Sequence, residues 1–235
     1  MEEALIKRVL PHSLEAEQAA ASARAEAQKH LSEKVKDQEM LGSSTSYHSQ
    51  EAYQKWQSSL NEYERLKKEQ ERVRQELLLL TGFSPDSPVV LEKMPLPDIS
   101  RAALVNPQED RQQALGNNYE LRSGRMGNAG SNQELHKKQR QTELDENQMF
   151  ASLETLGDQI RSCQAEWEAA CAKEQAQRAV WQSAVRKREL GTMAEGEYLE
   201  IYSQYMEEKG NQAQASIRFL LAMEEYDWAK KGLMD

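Results

Sequence analysis

The stretch Ser162-Cys163-Gln164-Ala165-Glu166 repeats the pattern of Ser13-Leu14-Glu15-Ala16-Glu17, which lies 149 residues earlier in the chain. The same offset places Leu190-Gly191-Thr192 over Leu41-Gly42-Ser43. Each copy consists of a long polar helical pattern, a break that contains glycine, and a second long helical pattern. A single helical hairpin of this kind buries little surface, so its duplication indicates that the copies pack against neighbours.

The first helix of the second copy has a very regular apolar seam. Its positions step alternately by three and four residues: Leu153, Leu156, Ile160, Cys163, Trp167, Ala170, Glu174, Gln177, Trp181 and Ala184. This spacing is typical of a coiled coil. Helices of roughly 30 to 45 residues extend about 45 to 65 Å, because each residue adds 1.5 Å. The pattern therefore predicts a rod of paired helices.

The first copy is predicted to occupy residues 1–82. A short helix over residues 2–10 should stop near Pro11, because proline interrupts helices. Ser13 can then cap a helix that continues to about Leu41. The returning helix should run to about Leu80 along a seam of Trp56, Leu60, Tyr63, Leu66, Val73, Leu77 and Leu80.

The second copy is predicted over residues 132–235, after a connector and a short helix over residues 83–126. Four of the six prolines lie between residues 83 and 100, which indicates extended chain. Asn106-Pro107-Gln108-Glu109 is a good helix start, and that helix should continue to about Ser123. Residues 127–131 are small and flexible and are predicted to form a linker. The fold class is therefore all-α: two tandem antiparallel helical hairpins joined by a proline-rich connector and a short helix.

Composition narrows the function. Hydrophobic residues make up 38% of the 235-residue chain, which suits narrow seams better than a thick core. The net charge of -9 argues against nucleic-acid binding. The four histidines and two cysteines have no metal-ligand spacing, and we find no catalytic constellation and no cofactor motif. The sequence thus favours a structural or transport role over an enzyme.

Three motifs together resemble the TolC family of outer-membrane efflux and secretion channels. Leu77-Leu78-Leu79-Leu80-Thr81-Gly82 is similar to the end of the family's first repeat. Residues 113–121 resemble the stretch that follows the family's connector, although Tyr119 stands where the family has proline. Residues 191–200, which begin with Gly-Thr and carry acids at positions 197 and 200, are similar to the family's second turn. The resemblance covers nearly the whole chain.

The resemblance implies the periplasmic α-helical part of a homotrimeric outer-membrane duct in a Gram-negative-type cell. Such a duct is a passive conduit that docks to a periplasmic adaptor protein and is served indirectly by an inner-membrane transporter. Each family repeat inserts two membrane strands between its upper helices, and here the linker over 127–131 stands at that place in the second repeat. We interpret the chain as the periplasmic portion without its membrane strands. A natural coiled-coil protein with a loop at 127–131 is the alternative.

Two other functions remain open from the sequence. A periplasmic adaptor of the same machinery would also contain a long hairpin, but set in a strand-rich domain. A structural coiled-coil scaffold of another kind would form a straight, elongated dimer.

The resemblance also implies two functional sites. The tips that face the adaptor are Leu41, Gly42, Ser43 and Ser44 in the first repeat, and Leu190, Gly191, Thr192 and Met193 in the second. Glu197 and Glu200 correspond to acids that face the pore near its periplasmic end. Threefold symmetry would turn each acid into a ring that constricts the pore, attracts cations and binds multivalent ions.

Overall fold

The computed structural model describes residues 2–89, 95–126 and 130–233, with side chains from residue 11 onward except that of Met126. All regular secondary structure in these ranges is helical, which confirms the all-α fold class. The helices are α1 Glu2–Met40, α2 Ser46–Leu80, α3 Ile99–Ala103, α4 Pro107–Asn117, α5 Tyr119–Met126, α6 Asn132–Glu189 and α7 Glu195–Lys230. Of the predicted linker over 127–131, residues 127–129 lie outside the described residues.

The chain forms two compact units, and both receive part of α6 and part of α7. The first unit contains residues 1–95 and 167–217, and the second contains residues 96–166 and 218–235. This division follows spatial packing and differs from the division by repeats that the sequence predicts, which stays a prediction.

The first helical hairpin is held by an apolar cluster between α1 and α2. Leu14 and Ala21 of α1 pack with Leu66 and Val73 of α2, and Tyr63 lies against them. The predicted seam of α2 is wrong at its last turn, where Leu78 is buried and Leu80 is 59% exposed. Four successive leucines leave the periodicity undefined there, so the sequence could not choose between them.

Pro11 does not end the first helix, and this corrects the predicted break. The helix α1 runs without interruption through Pro11. Ser13 is consequently not a cap: its hydroxyl donates to Glu17 Oε1 at 2.7 Å, one helical turn ahead. Pro11 is itself buried, so packing of the helix around it outweighs the loss of one backbone hydrogen bond.

In the first unit, α7 lies along the other side of α1. A Cβ atom added at Gly210 would lie 3.6 Å from the carbonyl oxygen of Ala16, which shows how closely the two backbones approach. Arg24 pairs with Glu207 at 2.9 Å along the same contact. The helix α1 therefore buries alanines on two opposite faces. Ala21 and Ala25 lie on one face, and Ala23 lies on the other.

The seam predicted for α6 is confirmed. All ten of its positions are buried or half-buried, and Leu153 and Ile160 are each only 1% exposed. The strict alternation of three and four residues identified the correct helix face because it persists over nine steps, where chance matches are rare.

In the second unit, the short predicted helix over 106–123 is broken in two at Asn118. Asn118 has extended backbone angles, and its side-chain oxygen accepts a hydrogen bond from Leu121 N at 3.0 Å. It therefore starts α5 as a cap. Within this unit Asp110 of α4 accepts hydrogen bonds from Tyr226 Oη at 2.8 Å and Lys230 Nζ at 2.5 Å. These contacts hold α4 on the last turns of α7.

Candidate docking tips and acidic pair

The tip of the first hairpin is a compact glycine turn. Gly42 has φ +74°, and its N–H donates to Glu39 O at 2.9 Å. Ser43 N donates to Gln38 O at 2.8 Å, and Ser43 Oγ reaches the same oxygen at 3.0 Å. This is the Schellman arrangement, which satisfies carbonyl groups left free at the end of a helix.

The tip of the second hairpin repeats the same bonds with different side chains. Gly191 has φ +68° and donates to Arg188 O at 2.9 Å. Thr192 N donates to Lys187 O at 2.9 Å, and Thr192 Oγ1 contacts that oxygen at 3.0 Å. The duplication that the sequence shows at residues 41–43 and 190–192 therefore extends to individual hydrogen bonds.

Both tip glycines are set by backbone conformation and not by crowding. A Cβ atom at Gly42 or Gly191 would meet no other atom within 4 Å. Their positive φ is nevertheless a region that other residues adopt only at an energetic cost. The space beside each glycine is open to whatever approaches the turn.

The predicted tip residues are all at the surface. Leu41 is 83% exposed and Leu190 is 77% exposed. Gly42, Ser43, Gly191 and Thr192 are also exposed, while Ser44 and Met193 are half-buried. Each tip thus presents a large apolar side chain next to an open glycine.

Glu197 and Glu200 are both exposed on α7, close to its start. They are three residues apart, so they lie on one face of the helix. Glu197 belongs to the first turn, where a negative charge is favoured by the helix dipole.

Arg188 forms a contact across the second tip that the sequence did not predict. Its Nη2 lies 2.7 Å from Glu195 Oε1, and its guanidinium carbon lies 4.3 Å from the ring centre of Tyr198. The cation therefore pairs with a carboxylate and with an aromatic face at once. The sequence signals this contact only by spacing. The arginine lies three residues before the turn glycine, and the acid lies four residues after it.

His30 of α1 lies beside the start of α7. A Cβ atom at Gly196 would approach His30 Nδ1 to 3.0 Å, so a larger residue at position 196 would displace the imidazole. Two turns further along α7, burial raises the pKa of Tyr202, and the neighbouring Tyr198 adds to this effect. The first turns of α7 are therefore backed by α1 while Glu197 and Glu200 remain in solvent.

Among the described residues, no three His, Cys, Asp or Glu side chains are grouped so that they could hold a metal ion. No helix in the described ranges is long and apolar enough to span a membrane.

No protein-family model matches this chain, and no curated protein matches it. Its fold is similar to that of solved outer-membrane proteins. The outer-membrane channel OprN superposes with a TM-score of 0.54 and 14% identity, over 99% of this chain and 66% of that one. The outer membrane protein VceC from Vibrio cholerae gives a TM-score of 0.55 and 10% identity, over 98% of this chain and 69% of that one.

These likenesses show the fold. The chain spans about two thirds of the length of each of these proteins. The helical fold is similar to that of these outer-membrane channels, so the fold that the resemblance to the TolC family implies is confirmed.

Proposed function

We propose that this chain, which has the fold of TolC-family outer-membrane channels, is the periplasmic part of a trimeric export duct in a Gram-negative-type cell. The duct is a passive conduit for drug efflux or protein secretion, and it docks to a periplasmic adaptor protein. An inner-membrane transporter supplies the energy indirectly. One observation carries this proposal: two hairpins of this fold end in tips that share the hydrogen bonds of the glycine turn and each expose a leucine.

The matched tips support docking to a repeated partner. A homotrimer contains six tips, three from each repeat. Because both types of tip combine an exposed leucine with an open glycine turn, one adaptor surface can recognise them all. A glycine allows the backbone of the partner to approach closely. This is the geometry expected where two sets of helical hairpins meet end to end.

A second seam on α6 supports assembly with other copies. Ala165, Ala169, Ala172, Ala176 and Ala179 step by four and three residues and are all exposed. They lie on the side of α6 away from the seam that packs on α7. A coiled-coil spacing of small side chains lets another helix approach closely. We assign this face to the contact between protomers.

The acidic pair supports a constriction. Glu197 and Glu200 lie close to the second tip and extend into solvent from one face of α7. In a trimer with this face toward the axis, each residue would form a ring of three carboxylates. Such rings attract cations and bind multivalent ions.

The docking role is tested in the full-length channel. Replacing Gly42 and Gly191 by Trp should abolish export, because the indole fills the space that the adaptor needs. The matched control replaces both glycines by Asn, which tolerates positive φ and should keep most of the export. Helix content by circular dichroism should be the same in both variants. Normal export by the double Trp variant would refute docking at these tips.

The constriction is tested by recording the reconstituted full-length channel. Replacing Glu197 and Glu200 by Gln should lower cation selectivity and relieve block by multivalent cations, because the charge is removed at constant size. Glu208, further along the same helix, provides the control when it is replaced by Gln. If selectivity and block stay unchanged in the double variant, the two acids are only a solvated helix face.

A further inference from the structure

The seam between α6 and α7 contains a buried carboxylate. Glu174 of α6 is 7% exposed, although charged residues are seldom buried without a partner. Its Oε1 accepts from Arg178 Nη2 at 2.8 Å and from Arg178 Nε at 3.0 Å. Arg178 stands one turn further along α6 and is half-exposed. The ion pair therefore extends from the buried carboxylate of Glu174 to solvent at the edge of the seam.

Arg178 connects this carboxylate to the opposite helix. The phenol of Tyr205, which is 7% exposed on α7, lies near enough to this guanidinium to act on it electrostatically. The carboxylate of Glu174 first, and then the Tyr205 phenol, raise the pKa of Arg178. The ring of Tyr205 is stacked on Trp181 of α6 at 4.8 Å, with only 2° between the planes. Two residues of α6, Arg178 and Trp181, thus act on Tyr205 and on the face of α7 that carries it.

The internal duplication provides a comparison within the same chain. The positions equivalent to Glu174 and Tyr205 are Ala25 and Trp56 in the first hairpin. The first hairpin therefore has a small side chain on its outgoing helix and a large one on its returning helix. In the second hairpin the outgoing side chain is larger, the returning one is smaller, and both carry polar groups. The exchange conserves volume approximately while adding directional bonds.

Apolar packing alone sets the facing of two helices loosely, whereas a buried polar group must be satisfied by a specific partner. We propose that Glu174 is a positioning residue that, acting through Arg178 and the phenol of Tyr205, sets which face of α7 lies against α6. This inference does not depend on the proposed role in export.

The two free cysteines of the chain allow a direct test. Cys171 is half-buried on α6, less than one turn before Glu174, and Gln212 Nε2 of α7 lies 3.7 Å from its sulfur. Its accessibility therefore reports on how α7 sits near Glu174. Cys163 is also half-buried on α6, eleven residues before Glu174, and it serves as a control on the same helix. Burial raises the pKa of its thiol.

The experiment is pulsed labelling of the full chain with N-ethylmaleimide, with each cysteine quantified by mass spectrometry. Glu174→Leu keeps the side-chain volume but removes the contact with Arg178. We expect Cys171 to react about tenfold faster or more, since local opening free energies govern such labelling, while Cys163 changes less than about twofold. The melting temperature should be maintained or raised, because leucine fills the buried position and Arg178, which is 51% exposed, is left in solvent and not as a buried unpaired charge.

Two further variants test the route of the effect. Tyr205→Phe removes one hydroxyl group and should also accelerate Cys171, while Glu174→Gln, which can still accept from Arg178, should stay close to the wild type. Gln175→Leu at the exposed neighbouring position is the matched control and should change neither cysteine. The proposal is overturned if Glu174→Leu and Tyr205→Phe leave Cys171 at its wild-type rate. It is equally overturned if both cysteines accelerate together, since that result shows general loosening.

Discussion

At the scale of single residues, four glycines mark the ends of the long helices. Gly42, Gly82, Gly191 and Gly232 are the described residues with positive φ. Each follows the end of a long helix. Gly42 and Gly191 have open space beside them, whereas a Cβ atom at Gly232 would lie 2.4 Å from the carbonyl carbon of Asn117. Conformation therefore requires glycine at the tips, and crowding requires it as well at the end of α7.

We predict that Gly191→Val destabilises the chain by about 1–2 kcal/mol, because a β-branched residue is strained at positive φ. Gly191→Asn should cost about half as much or less, since asparagine visits this region. Urea unfolding followed by circular dichroism measures both. Gly116→Ala is the matched control: Gly116 is an exposed helical glycine with open space, so alanine should stabilise by about 0.5–1 kcal/mol. Equal stability of the Val and Asn variants would contradict the conformational explanation.

We expect Tyr226 to make the stability of the folded chain decrease at alkaline pH. Burial raises the pKa of its phenol, and the hydrogen bond to Asp110 adds to the rise. The unfolded phenol titrates near 10. A group whose pKa is higher in the folded state stabilises fully below the unfolded pKa and loses this contribution as pH rises toward the folded pKa. We therefore expect the melting temperature to fall above about pH 10 and the fall to be shallower in Tyr226→Phe. Tyr53 is 51% exposed, so Tyr53→Phe is the control. It should leave the dependence of the melting temperature on pH unchanged.

Sequence patterns identified the residues that occur in both repeats but not the contacts that occur only once in the chain. The tip glycines stood out because they recur at a fixed offset of 149 residues. The contact of Arg188 with Glu195 and Tyr198 has no counterpart in the first repeat, so no periodicity marked it. The bond between Tyr226 and Asp110 joins residues 116 positions apart, and only the folded chain brings them together.

At the scale of helices, the second seam of α6 leads to a prediction about assembly. Ala172→Arg in the full-length channel should disrupt the trimer, because a charged side chain would be buried without a partner where two helices approach closely. We expect the trimer to dissociate at a protein concentration more than about tenfold higher than for the wild type, measured by analytical ultracentrifugation in detergent. Gln175→Arg introduces the same residue at an exposed position off this seam and should assemble normally. A fully assembled Ala172→Arg trimer would place the protomer contact elsewhere.

Helix existence and seam position were predictable where the periodicity is long, and helix ends were less so. The seam of α6 persists over ten positions and identified the buried face. Pro11 and Asn118 show the two ways in which local signals fail. Burial of Pro11 within α1 overrides the local cost of proline, and one asparagine side chain caps a new helix where the sequence suggested a continuous one. Both outcomes depend on tertiary context.

At the scale of the whole molecule, the chain by itself should not form a stable ring. The contact between protomers that we propose on α6 consists of alanine side chains, each of which buries little apolar surface. We therefore predict that the isolated 235-residue chain is a monomer or a weak oligomer. Sedimentation at micromolar concentration is the measurement, and a tight trimer under those conditions would contradict the prediction.

The glycine turns also make the hairpins adjustable in length. A glycine with positive φ lies just beyond the end of each of α1, α2, α6 and α7. The glycines therefore set where these helices end, while the seams set how the helices pack along their length. Adding seven residues to both helices of a hairpin would preserve the seam and both turns while extending each helix by about 10 Å. Heptads are thus interchangeable spacers that set the length of a hairpin without altering its seam or its tip.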